Sequence, residues 1–164
     1  MPKPINLERL RSLKACKGQL DAFGALFGRG DAPLSVETAV AHAQTFEWEW
    51  AADHLLSASA WKAYDEVRNP AWKAYDEATL PAWEAYDEAR DLALKAYVKD
   101  IAWKADKKGT APAWEAYEEA AWEAYEEATA SAWKAHKEAT APARKAYNET
   151  CARAFAEAYL SQED

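Results

Sequence analysis

The sequence predicts an all-α protein: a short helical head followed by a long antiparallel helical hairpin of eleven-residue repeats, kinked at prolines. Three observations carry this. The phrase Ala-Trp-(Lys/Glu)-Ala-Tyr-(Asp/Glu)-Glu-Ala recurs nine times in full or degraded form, at Ala60, Ala71, Ala82, Ala93, Ala102, Ala113, Ala121, Ala132 and Ala143. Six of the eight steps between copies are eleven residues, and eleven residues turn an α-helix about 1100°, three turns and about 20°, so equivalent positions stack in rows. The strongest break in the repeats, Lys107-Lys108-Gly109-Thr110, reads as basic residues closing a helix, a glycine after its end and a threonine capping the next. It leaves two arms of similar length that fold back on each other.

Residues 1–57 form the head. Two prolines among the first five residues give an extended lead-in, after which Asn6 caps a helix through Leu7, Leu10, Leu13 and Cys16. A second helix runs from Gln19 to Phe27, with Leu20, Phe23, Leu26 and Phe27 at three- and four-residue spacing. Gly28-Arg29-Gly30-Asp31 then breaks the chain, and its Arg-Gly-Asp string reads as a turn. Ser35 caps a third helix through Val36, Ala39, Val40 and Ala43. Thr45 caps a fourth, from Phe46 to Leu56.

The first arm spans residues 58–107, the turn 108–110, the second arm 111–160 and a tail 161–164. In each copy positions one, four, five and eight lie within about 100° of one another and form the expected core stripe, with the tryptophan of position two on its flank. Positions three, six and seven carry the charges and face water. Pro70, Pro81, Pro112 and Pro142 each precede a copy's first alanine. Only Asn69 before them is a good cap, so most of these prolines bend a continuing helix. Folding at Gly109 would bring Lys104 level with Glu115, Lys95 with Glu123, and Glu84 with Lys134, while Lys73 and Lys145 mismatch. Two shortened steps, Ala93 to Ala102 and Ala113 to Ala121, rotate the stripe.

Charge narrows the possible functions. Residues 60–164 hold twenty-one acidic and fourteen basic side chains, and residues 1–59 hold seven and six. An acidic body excludes direct nucleic-acid binding along the arms, which would need a basic face. No eighteen-residue apolar run and no signal segment occur, so no membrane partner is expected and the location is cytoplasmic. Cys16 and Cys151 are too few for a disulfide framework and are expected as buried thiols. No glycine-rich phosphate loop, nucleophile elbow, HExxH or CxxC is present, and His42, His54 and His136 share no ligand spacing with the cysteines. His136 reads as a polar substitution at a stripe edge. Neither catalytic residues nor a metal or other cofactor is expected.

The residues singled out are Trp61, Trp72, Trp83, Trp103, Trp114, Trp122 and Trp133, which fill position two, with Leu94 and Arg144 in two other copies. A hairpin covers one stripe of each helix, so these indoles need a further cover: the head, a second copy of the chain in a homo-oligomer, or a ligand that stacks on aromatic rings.

The run Ala15-Cys16 to Phe27-Gly28, then Phe46-Glu47-Trp48-Glu49-Trp50-Ala51-Ala52 with Leu55-Leu56-Ser57, leads into Ala-Tyr-Asp/Glu-Ala repeats. In this it resembles a loose set of phage and bacterial helical repeat proteins labelled immunity proteins. The resemblance implies a mobile-element setting in which small acidic helical proteins occupy and inhibit a host-defence or rival protein. The leading expectation is a non-enzymatic binding protein with a protein partner. The alternatives are a nucleic-acid mimic with an acidic rod, a sponge that stacks a small nucleotide on Trp or Tyr, and a self-assembling structural protein.

Overall fold

The computed structural model describes residues 4–105 and 111–162; the side chains of residues 100, 102–105, 111–114, 116 and 117 lie outside the described residues, as does the turn expected at 107–110. The elements are α1 (Leu7–Ser12), α2 (Lys17–Phe27), α3 (Val36–Ala41), α4 (Trp48–Leu55), α5 (Ala58–Ala105) and α6 (Ala111–Ser161), with no strand among the described residues. A short helical head and two long helices packed on each other are what the sequence predicts.

Local chemistry sets the head's boundaries. Asn6 Oδ1 accepts the Arg9 amide at 3.0 Å and starts α1. The helix stops at Ser12 instead of Cys16 because Lys14 turns left-handed (φ 62°). There the Lys14 amide donates to the Arg11 carbonyl, and the Ala15 amide to Leu10, each at 3.0 Å, closing the helix end. The second helix begins at Lys17, two residues before the expected Gln19, and ends where Gly28 takes φ 66°. Ser35 caps α3, its Oγ accepting the Thr38 amide at 3.1 Å.

Thr45 does not cap α4. Its own amide bonds the His42 carbonyl at 2.9 Å in a turn, the indole Nε1 of Trp48 bonds the Ala43 carbonyl at 3.1 Å, and the helix starts only after Glu47. Gln19 closes this loop from α2, accepting the Glu47 amide at 3.2 Å.

The chain divides into two compact units, one of Met1–Asp76 with Ala143–Asp164, the other Glu77–Pro142. In the first, the head does not bury its apolar side chains alone. Leu10, Phe23, Ala39, Trp48, Ala52 and Leu55 pack with Ala60 and Tyr64 of α5 and with Ala152, Phe155, Ala156 and Tyr159 of α6. Alanines at 152 and 156, both 0% exposed, let α6 approach closely, while Phe155 supplies ring area against Trp48 at 5.5 Å. Ser57 caps α5, and Gln162 secures that end, accepting the Ser57 amide at 2.9 Å and donating to the Leu55 carbonyl at 3.3 Å. Cys151 is buried in this core, whereas Cys16 is exposed at the start of α2; both thiols are free. The expected pair of buried thiols therefore holds only for Cys151.

The long helices run through Pro70, Pro81 and Pro142 without a break, and Pro112 falls in the first turn of α6, where its missing amide is not needed. Their buried stripe differs from the expected one. Positions one, five and nine are buried or half-buried (Ala71, Tyr75 and Thr79; Ala121, Tyr125 and Thr129; Ala132, His136 and Thr140). Position four is exposed at Ala74, Ala85, Ala96, Ala124 and Ala135. Spacings of four, four and three residues close on eleven, so this stripe is as regular as the expected one. It is rolled roughly 50° toward the tryptophan flank. The reason is area: a Tyr or Trp ring removes far more surface from water than an alanine methyl, so the helices turn their aromatic edge inward. Threonine fits the ninth position by bonding its hydroxyl back to the helix, as Thr140 does to the His136 carbonyl and Thr129 to Tyr125, both at 2.9 Å.

Candidate protein-interaction face

Positions two and five are three residues apart on a helix and share a side, so each copy presents a Trp–Tyr pair. In antiparallel helices equivalent positions fall on the same face of the pair, and the rings of the two arms meet there. In the second unit Trp83 lies 6.0 Å from Trp133 and 4.1 Å from His136, and Tyr86 lies 5.4 Å from Trp133. Further along, Tyr97 lies 5.9 Å from Trp122 and 6.1 Å from Tyr125. In the first unit Trp72 and Tyr75 meet Tyr147 at 5.5 and 5.6 Å. Each level is an aromatic cluster drawn from both arms, tyrosine or histidine inside and tryptophan at the rim.

The rim remains accessible. Trp61, Trp72, Trp83, Trp122 and Trp133 are between 36 and 50% exposed. Trp61 is tied to the head, its indole donating to Asp53 Oδ1 at 2.8 Å. Leu94, in a tryptophan position, is also half-exposed. Trp103 and Trp114 lie on helical backbone, but their side chains are outside the described residues. The structure thus brings four of the seven singled-out tryptophans into these clusters and keeps Trp61 as the head's contact.

The tyrosines of position five belong to the same face, although the sequence pattern placed them in the core stripe and singled out only the tryptophans for interaction. Their three-residue offset from the tryptophans was the available signal. His136 is likewise no edge residue. It is 4% exposed, stacked on Trp133 at 5.1 Å, and neither ring nitrogen has a hydrogen-bond partner among the described residues.

Two cations of the chain already lie over rings of these clusters: the Arg90 guanidinium 6.0 Å from the Tyr86 centroid, and Lys137 Nζ 5.8 Å from that of Trp133. Carboxylates border the tryptophans. Four residues after Trp83 stands Asp87, and four after Trp122 stands Glu126, both exposed.

The first unit also holds a buried polar cluster, where Tyr64 and Tyr147 flank Cys151. The Tyr147 hydroxyl donates to Glu49 Oε1, and Arg68 lies 3.8 Å from the same carboxylate and 2.9 Å from Asp65. Burial, reinforced by neighbouring Cys151 and Glu49, pushes both tyrosine hydroxyls well above their ordinary range. Burial also pushes the Cys151 thiol up, against the lowering effect of the two tyrosine hydroxyls beside it. A thiol held protonated is a poor nucleophile, so the cluster reads as packing that joins α4, α5 and α6. The chain matches no protein-family model, no curated protein and no solved structure, and its own geometry is what bears on function.

Proposed function

We propose that the chain is a non-enzymatic binding protein that acts by occupying a protein partner, docking through the aromatic rim of its long helices. The observation that carries this reading is the set of indoles of the second unit, Trp83, Trp122 and Trp133, which are 40 to 47% exposed on helices whose core is already formed. Exposed indoles favour interaction, because each contributes large rigid area and an N–H donor when covered. The resemblance to phage and bacterial immunity-type proteins supports an inhibitory role on a host-defence or rival protein in the host cytoplasm. Cys151 is buried beside Tyr64 and Tyr147, and burial pushes its thiol above the ordinary range, which supports binding over catalysis.

Affinity capture from bacterial lysate with the native chain and a Trp83→Ser/Trp133→Ser variant tests the reading. Specific proteins captured at micromolar bait, and lost with the variant, are expected. No specific capture, or capture the variant retains, would remove it. Light scattering on both chains separates this from self-association, which would bury the same indoles and disappear in the same variant.

A further inference from the structure

We infer that the partner seated on the aromatic rim of the second unit presents a basic surface, its arginine and lysine side chains stacking on the exposed indoles and pairing with the carboxylates beside them. This rests on the rim being the docking face and adds the chemistry of what docks.

Four observations converge on a cationic occupant. Trp83, Trp122 and Trp133 are 40 to 47% exposed, and the indole face is the best of the aromatic acceptors for a cation. The ring faces of these clusters already take cations from the chain itself, Arg90 over Tyr86 and Lys137 over Trp133. Carboxylates recur beside the rim at a fixed interval: Asp87 after Trp83 and Glu126 after Trp122, as Asp65 follows Trp61 and Asp76 follows Trp72. An interval of four residues keeps ring and carboxylate on one side of the helix. From residue 77 to 142 the sequence carries fourteen acidic against eight basic side chains, so the field around the rim draws cations and repels nucleic acid.

The alternative chemistries fit less well. A wholly apolar partner would cover the indoles but strip water from Asp87 and Glu126 without pairing them, which opposes binding. An arginine-rich surface satisfies both groups at once, because the guanidinium plane stacks on a ring while its edge donates to a carboxylate. Asp87 is partly neutralised by Arg90 at 3.2 Å. That pair is exposed, and an incoming guanidinium can exchange with it at little loss.

Titration of the full chain with a nona-arginine peptide, read by tryptophan fluorescence at several salt concentrations, tests the inference. Saturable quenching is expected. A Trp83→Ala/Trp133→Ala variant should bind at least tenfold more weakly with an unchanged salt slope, and Asp87→Asn/Glu126→Gln should bind more weakly with a flatter slope. Should the alanine variant lose helicity by circular dichroism, Trp83→Phe/Trp133→Phe replaces it; a severalfold weakening is expected, since phenylalanine is the poorer cation acceptor. Absence of binding, or indole variants that bind like the native chain, overturns the basic partner. If nona-arginine fails while lysate capture still depends on Trp83 and Trp133, the docking face stands and only the partner's chemistry falls.

Discussion

Seven of the nine repeat copies place tyrosine at the fifth position, and one places His136 there. A tyrosine can carry its single hydroxyl toward the rim. An imidazole of that depth buries two nitrogens, and those of His136, whose ring lies against Trp83, Tyr86 and Trp133, have no hydrogen-bond partner among the described residues. Leaving a buried polar group without a partner costs about 1–3 kcal/mol. His136→Phe removes both nitrogens and keeps an aromatic ring where tyrosine fits in other copies, so it should stabilise the fold by about 1 kcal/mol. Urea denaturation would show a higher midpoint at unchanged slope; a lower midpoint would mean that the imidazole is hydrogen-bonded in solution. The identity of this residue was legible in the sequence, but its depth was not. A stripe centred on positions one, four, five and eight leaves position five near an edge, and only the roll of the helices toward their aromatic side moves it to the centre. Cys16 and Cys151 show the same limit: residue type gave both the same expectation, and only packing against α6 distinguishes them.

At the scale of elements, periodicity carried most of the information. The eleven-residue step was enough to set α5 and α6, and a fold at Gly109 anticipated their pairing closely. The expected level of Lys95 with Glu123 differs by one residue from the pairing given by the rings of Tyr97 and Trp122. Starts and stops in the head were less legible because they depend on bonds between distant residues. Gln19 and the Trp48 indole fix the start of α4, and no local signal around Thr45 competes with them. Pro81 and Pro142 were legible for a physical reason: without a good cap before them, continuation of the helix is the lower-energy choice, whereas α5 runs through Pro70 despite the cap that Asn69 offered, and Pro112 stands at a helix start. Continuation still has a cost. Pro142 lies inside α6 and cannot donate to the Glu138 carbonyl, and proline in a helix interior is roughly 3 kcal/mol less favourable than alanine. Its restriction of the unfolded chain offsets up to about 1 kcal/mol of that. Pro142→Ala should therefore stabilise the exposed position by about 2–3 kcal/mol in urea or thermal unfolding. Destabilisation would show that the proline's constraint on the unfolded chain outweighs the lost helix bond.

For the whole molecule, net charge and buried hydroxyls act together at alkaline pH. The chain carries a formal charge of −8 at neutral pH, and further ionisation strengthens its self-repulsion. Tyr64, 1% exposed, and the half-buried Tyr147 flank Cys151 where α4, α5 and α6 meet, and burial raises the pKa of each of the three groups. A group whose pKa is raised by folding contributes stability that is complete below its unfolded value and is lost as pH climbs toward the folded value, because the unfolded chain releases the proton first. The window follows from the ordinary values: it opens near pH 9 for Cys151 and near pH 10 for the tyrosines. Within it, Tyr64 alone should steepen the loss of stability by about 1.4 kcal/mol per pH unit. Stability from urea unfolding should accordingly be level from pH 7 to 8.5 and fall progressively above pH 9. Tyrosinate absorbance should show two hydroxyls that ionise only as helicity is lost. Tyr64→Phe changes the slope without changing the charge at neutral pH, so its curve should fall less steeply above pH 10, whatever it does to the stability at pH 7. If native and Tyr64→Phe curves run parallel through pH 11, the buried hydroxyl is not what couples the fold to alkali, and repulsion among the charges of the long helices is sufficient.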